Sequence, residues 1–133
     1  MSLYLLDTNI LSDLVNDAGG PVGTVLAKLG RTEFFTSIVA ASELRFGALK
    51  RNSPRLLRRV TDVLSIVEVR PLVSPADEHY GRIRLALERA GTPIGANDLL
   101  IAAHALAERA TLVSANSREF SRVRGLKLQN WLR

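Results

Sequence analysis

The sequence has no cysteine, two histidines and few aromatic residues: one tryptophan, two tyrosines and four phenylalanines in 133 positions. Without thiols there is no disulfide framework and no thiolate metal site. His79 and His104 lack metal-ligand spacing, so any bound metal is hard and oxygen-ligated, which favours Mg²⁺ or Mn²⁺. Long apolar runs are missing too, and none approaches the roughly 20 residues of a membrane span. The opening Met1-Ser2-Leu3-Tyr4 has no charged start or cleavage site of a secretory signal. These absences lead us to expect a cytoplasmic protein without membrane partners.

What is present is globular composition with a basic excess. Hydrophobic residues make up 47% and charged residues 23%, and the mean hydropathy is +0.10. A chain of this length buries roughly two thirds of its unfolded surface, so one domain spanning residues 1–133 is expected. A net charge of +5 and a pI of 10.4 favour a polyanionic partner without naming it. No repeat, low-complexity tract or linker interrupts the chain.

Leu3 to Leu6 reads as a short buried strand, and Asp7-Thr8-Asn9 is a run of capping residues before the helical positions Ile10, Leu11, Leu14 and Val15. A short helix over Val22 to Leu29 and a strand over Glu33 to Ser37 follow, then a helix over Ile38 to Lys50. Ser53-Pro54 opens a helix to about Leu64, and Ile66 to Val69 suits a strand. Ser74-Pro75 repeats the cap-plus-proline signal for a helix ending at Ala90 before Gly91. Asn97 or Asp98 is expected to cap a helix to about Arg109, with strands over Thr111 to Ser114 and Leu126 to Gln129. Alternating strands and helices imply an α/β chain of four to five mainly parallel strands, covered by helices on both faces.

Three carboxylates interrupt this apolar pattern. Asp7 ends the first strand, Glu43 stands within Ile38-Val39-Ala40-Ala41-Ser42-Glu43-Leu44, and Asp98 precedes Leu99-Leu100-Ile101-Ala102-Ala103. A buried acid protonates, pairs or stays near water. In a parallel sheet the carboxyl ends of the strands share one edge, where such folds place ligands. Unit charges about 4 Å apart repel by roughly 4 kcal/mol at an effective dielectric near 20, and a divalent cation removes that conflict. It also polarises a phosphoryl oxygen and lowers the pKa of bound water, the needs of phosphodiester hydrolysis. Taken singly, Asp7 and Asp98 read equally well as helix caps. Glu43 is different, because Val39, Ala40, Phe46 and Gly47, three and four residues away, offer it no cation.

Leu5-Leu6-Asp7-Thr8-Asn9-Ile10, Ala41-Ser42-Glu43-Leu44-Arg45-Phe46-Gly47-Ala48, Pro93-Ile94-Gly95-Ala96-Asn97-Asp98 with Ala102-Ala103-His104-Ala105-Leu106, and Glu119-Phe120 with Asn130-Trp131 stand in one order. From Leu3 to Trp131 this pattern resembles the PIN-domain ribonuclease toxins of the VapC type. The resemblance implies a three-layer α/β/α sandwich, a homodimer, and an Mg²⁺-dependent endoribonuclease that cuts structured RNA such as tRNA. It also implies a toxin whose cognate antitoxin, a small DNA-binding protein, carries the complex to operator DNA. Carried over by position, Asp7 and Asp98 match the principal metal-binding aspartates and Glu43 the third acid.

Many PIN domains carry a fourth acid after the strand matching Thr111 to Ser114, whereas this chain has Asn116, with Glu119 three residues on. An amide offers a carbonyl but no charge, so Glu119 is the acid that can substitute. That departure sustains a rival expectation, a catalytically weak PIN-fold module that binds nucleic acid or a partner in regulation. Thr8, Asn9 and Ser37 are candidates to orient the site or merely to cap, and His104 reads as structural. Arg51, Arg55, Arg58 and Arg59 share a helical face, while Arg118, Arg122, Arg124 and Lys127 cluster near the end. Each group is either a solvated face or a contact for RNA phosphates. With so few rings, stacking of bases on aromatic side chains cannot dominate recognition.

Overall fold

The computed structural model describes residues 2–132. Five strands, β1 (Tyr4–Leu6), β2 (Phe34–Ser37), β3 (Glu68–Arg70), β4 (Thr111–Val113) and β5 (Leu128–Gln129), form one sheet in the order β3-β2-β1-β4-β5. Every neighbouring pair is parallel. Parallel pairing demands crossovers, and these are supplied by α1 (Thr8–Asn16), α2 (Pro21–Leu26), α3 (Ile38–Arg51), α4 (Pro54–Ile66), α5 (Ala76–Arg89), α6 (Ala96–Ala107) and the single turn α7 (Ser117–Phe120). The result is the expected α/β/α sandwich around an all-parallel sheet.

The central strands are mostly apolar because helices cover both of their faces. Leu5, Leu6, Phe35 and Leu112 have no exposed surface, and Ile10, Leu11, Ile101 and Phe120 pack into the same core. Thr36, also fully buried, satisfies its hydroxyl by donating to the Leu6 carbonyl at 2.7 Å. Near the far edge Tyr4 and Trp131 meet edge-to-face, ring centres 5.2 Å apart.

Several boundaries differ from expectation, each for a local reason. Ile66 belongs to α4 because the Val67 N–H still bonds back to the Val63 carbonyl, so β3 begins at Glu68. As an edge strand it tolerates charged Glu68 and Arg70. Ser53 caps α4, accepting from the Leu56 N–H at 3.2 Å. Ser74 does not cap α5: the Ser74–Pro75 peptide is cis and Pro75 is itself the boundary residue. Neither Asn97 nor Asp98 caps α6, because Gly95 holds that position and the helix starts at Ala96. Asn97 and Asp98 therefore lie within its first turn. The register places the site, since Leu6 lies beside Thr36 and Val113. The next residues, Asp7, Ser37 and Ser114, follow at the carboxyl rim of the sheet.

Candidate active site

Asp7 is only 3% exposed and has two tasks. One carboxylate oxygen accepts from the Thr8 N–H at 2.8 Å and so caps α1. The other accepts from the Ser114 hydroxyl at 2.8 Å and, more distantly, from the Asn9 amide at 3.5 Å. The Asn9 carbonyl accepts from the Ala115 N–H at 3.0 Å, and Ser114 Oγ accepts from the Asn116 N–H at 2.9 Å. Asp7 is thus both the cap and the centre of a polar knot joining β1 to the turn after β4.

Glu43 reaches the rim from α3, where the Ser37 hydroxyl caps the helix by accepting from the Val39 N–H. Its two carboxylate oxygens are held separately. Oε1 accepts from the Thr8 hydroxyl at 2.7 Å and Oε2 from the Asn97 amide at 3.1 Å. Asn116 completes the arrangement, its amide nitrogen donating to Asp98 Oδ2 at 3.1 Å and to Glu119 Oε2 at 2.9 Å. Asp7, Glu43, Asp98, Asn116 and Glu119 therefore stand at one rim, contributed by four separate parts of the chain.

The crowding of acids is visible in their proton affinities. Asp7 is raised above the ordinary carboxylate range, by burial first and also by Glu43, against the lowering effect of its bonds from Ser114 and Thr8. Asp98 is pushed up to about 7, by burial first, then by a hydrogen bond with Glu119 and by the charges of Asp7, Glu119 and Glu43. Glu119 is held below its usual value by Asp98 and Asn116. Asp98 therefore holds its proton to higher pH than an ordinary carboxyl and loses it only around neutrality. Neutral amides and hydroxyls fasten the acids, and among the described residues Arg122, beside Glu119, is the cation acting on the group.

The donor set is hard oxygen, which suits a hard divalent ion. Among the described residues no three His, Cys, Asp or Glu side chains are placed to hold an ion jointly. A site of one or two carboxylates, completed by water and substrate phosphate, is the usual habit of Mg²⁺. Asp7 and Asp98 are the residues that fit it.

Other candidates fall outside the rim. His104 is 1% exposed, packs on Phe35 with ring centres 5.5 Å apart, and has no hydrogen-bond partner at either nitrogen. His79 is half-buried on α5. Arg118 and Arg124 are exposed beyond β4, while Arg122 donates to the Pro93 carbonyl at 3.2 Å and so ties this turn to the loop before α6. Arg55 and Arg58 are exposed on α4, away from the acids. Sequence reasoning missed two residues, Ser114 and Asn97. Ser114 was findable from register, because a serine one place past Val113 must face Asp7 once β1 and β4 pair. Asn97 had been read only as a cap.

The PIN domain family profile matches residues 4–126. This chain belongs to the PIN domain family. It is 39% identical to Ribonuclease VapC2 of Rickettsia felis over 97% of this chain and 98% of that protein. It is 34% identical to the tRNA(fMet)-specific endonuclease VapC of Shigella flexneri, over 98% of this chain and 99% of that one. A crystal structure of VapBC2 from Rickettsia felis, bound to a DNA fragment from their promoter, holds a chain of the same fold. The TM-score is 0.90, with 35% identity over 97% of this PIN domain and 98% of that chain. No helix among the described residues of the PIN domain is long and apolar enough to cross a membrane.

Proposed function

We propose that this PIN domain is an endoribonuclease toxin of a toxin–antitoxin pair, cutting phosphodiester bonds of structured RNA with Mg²⁺ at Asp7 and Asp98. The observation that carries the proposal is an acid rim, with Asp7 buried and Asp98 half-buried, fastened mainly by neutral groups on a basic chain whose relatives are VapC ribonucleases. PIN-domain ribonucleases are generally dependent on a divalent metal; Mg²⁺, with Mn²⁺ as substitute, is our assignment. The ion, when bound, polarises a phosphoryl oxygen and makes a coordinated water more acidic.

The chain's own residues supply the rest. Ser114 and the Thr8 N–H fix Asp7, and Asn116 fixes Asp98, so neither carboxylate has to reorganise as substrate arrives. Glu43, half-exposed and held at both oxygens, takes the proton of the attacking water. Asn116 and Glu119 close the rim beside Asp98. Arg118, Arg122 and Arg124 lie in the adjoining turn and receive RNA phosphates.

The partner is a small DNA-binding antitoxin, through which the pair reaches operator DNA; the promoter-bound VapBC2 complex supports this. Exposed Ile38, Phe46 and Leu49 on α3 support a homodimer. The setting is the cytoplasm. The test is cleavage of a panel of structured RNAs with and without Mg²⁺, wild type beside Asp7→Asn. We expect Mg²⁺-dependent fragments with 3′-hydroxyl and 5′-phosphate ends from the wild type and none from the variant, with thermal unfolding nearly unchanged. Cyclic 2′,3′-phosphate ends, or undiminished cleavage by Asp7→Asn, would falsify the mechanism.

A further inference from the structure

A groove leaves the acid rim and ends among arginines. Its walls come from α1, α3 and the start of α4: Thr8, Ser12, Glu43 and Gly47 near the rim, Arg51 and Leu56 farther on, enclosing about 260 Å³. Arg51 and Leu56 also border a second hollow of about 310 Å³, whose remaining walls are Ser53, Arg55 and Arg59. The two hollows share walls and form one path. Glu43 and Arg51 are eight residues apart on α3, a rise of about 12 Å, so an anion at the arginines is not the phosphate at the acids.

The three arginines are exposed, and none takes part in an ion pair among the described residues. Asp62 lies farther along α4 and does not bridge to them. The side chains thus present guanidinium donors with no carboxylate to satisfy them, and phosphate is a matching acceptor. Arg58, on the same helix, does not border the hollow. Gly47 keeps the path open, since a β-carbon built there meets nothing within 4 Å.

From this juxtaposition we infer that Arg51, Arg55 and Arg59 form a second phosphate-binding subsite, which holds the RNA backbone at a phosphate distant from the one cleaved. The groove past Thr8 and Gly47 carries the intervening nucleotides from the acid rim. The inference rests on the endoribonuclease reading and adds to it where the strand runs. A bound RNA then contributes affinity at a place that takes no part in bond breaking.

The experiment uses the full chain. Binding of a fluorescein-labelled RNA stem-loop is followed by anisotropy across a salt series in the Asp7→Asn background, with and without Arg51→Ala plus Arg59→Ala. Cleavage is followed in the otherwise wild-type chain. We expect the double substitution to weaken binding about 10-fold and to flatten the salt dependence by about 1.4 in log–log slope, that is ~0.7 per lost phosphate contact on a single strand. In cleavage, KM rises by a similar factor and kcat stays within about twofold. Arg51→Lys plus Arg59→Lys recovers most of the salt slope. Gly47→Leu, which fills the groove midway between Glu43 and Arg51, raises KM as well. Arg82→Ala plus Arg89→Ala, exposed arginines on α5 that border neither hollow, controls for the two lost charges, and neither that pair nor Arg89→Ala alone moves either quantity.

If the wild type cleaves RNA and Asp7→Asn does not, yet the double variant keeps its KM and salt slope, the second subsite is wrong and the nuclease reading stands. The subsite is equally wrong if Arg89→Ala weakens binding as much, because net charge then explains the effect. If the wild type cleaves no RNA, both fall. Weaker affinity for an acidic partner protein alone, with RNA binding intact, also overturns the inference.

Discussion

At the first turn of α6, Asp98 feels the charges of Asp7, Glu43 and Glu119, and Asn116 is its amide partner. At the far end of the same helix, Arg70 lies 3.2 Å from Glu68 and 3.1 Å from Glu108, with its guanidinium 4.3 Å above the Phe35 ring. Both clusters are charged and partly buried. One contains its own cation and is complete; the other gathers acids around neutral donors and raises the proton affinity of Asp7 and Asp98. Their difference separates a structural use of charge from a functional one, because a fold that needed only stability would have balanced both.

The largest expected effect comes from removing a charge at the unbalanced end. Asp98→Asn should lower RNA cleavage by about 10³-fold, the loss typical of a preorganised electrostatic contact, while the metal-free variant melts no lower than wild type because repulsion is relieved. A drop in melting temperature of several degrees would mean that Asp98 is structural. The next effect is on the ion. Because Asp98 keeps its proton up to about pH 7, Mg²⁺ affinity measured by calorimetry should rise by about tenfold per pH unit below that value and level off above it. The sign for stability is opposite. The unfolded chain releases this proton near its ordinary 3.8, so metal-free stability should fall as pH rises from about 4 to 7 and recover on adding Mg²⁺. An Mg²⁺ affinity independent of pH from 5 to 8 would show that the ion does not displace that proton.

At the balanced end the order of effects reverses. Arg70→Met should cost about 1 kcal/mol of stability by urea titration, because Glu108 loses a half-exposed partner, and activity per folded molecule should hold. The smallest effect belongs to His104. Burial lowers its pKa below the usual 6.5, outweighing Glu108, so the unfolded chain takes up a proton first and stability declines as pH falls through 6.5. His104→Leu should flatten that acid limb at similar packing volume. An unaltered limb would assign it to another group.

Much of this contrast was readable from the residues alone. The apolar run Leu3 to Leu6 marked β1, and the pairs Phe34-Phe35 and Leu112-Val113 with their flanking β-branched threonines marked β2 and β4. β3 was misplaced since an edge strand carries Glu68 and Arg70, which look like anything but a strand. Asp7, Glu43 and Asp98 were legible because each breaks an apolar segment. Their fastenings were not. The Thr8–Glu43, Asn97–Glu43 and Ser114–Asp7 bonds join residues 35, 54 and 107 positions apart, and side chains with strong local capping preferences are read locally until the sheet register is known. The resemblance of motifs singled out Asn116 in place of a fourth acid and Glu119 three residues on, but not that the amide clasps Asp98 to Glu119.

The strand order has a consequence for how the molecule comes into being. β1 occupies the middle of the sheet and waits for β4, and Ser114 is synthesised 107 residues after Asp7, with Asn116 and Glu119 later still. A nascent chain still threaded in the ribosome has Asp7 without its clasp and no finished rim. The acid rim thus comes into being only once all four of its contributing segments have been made.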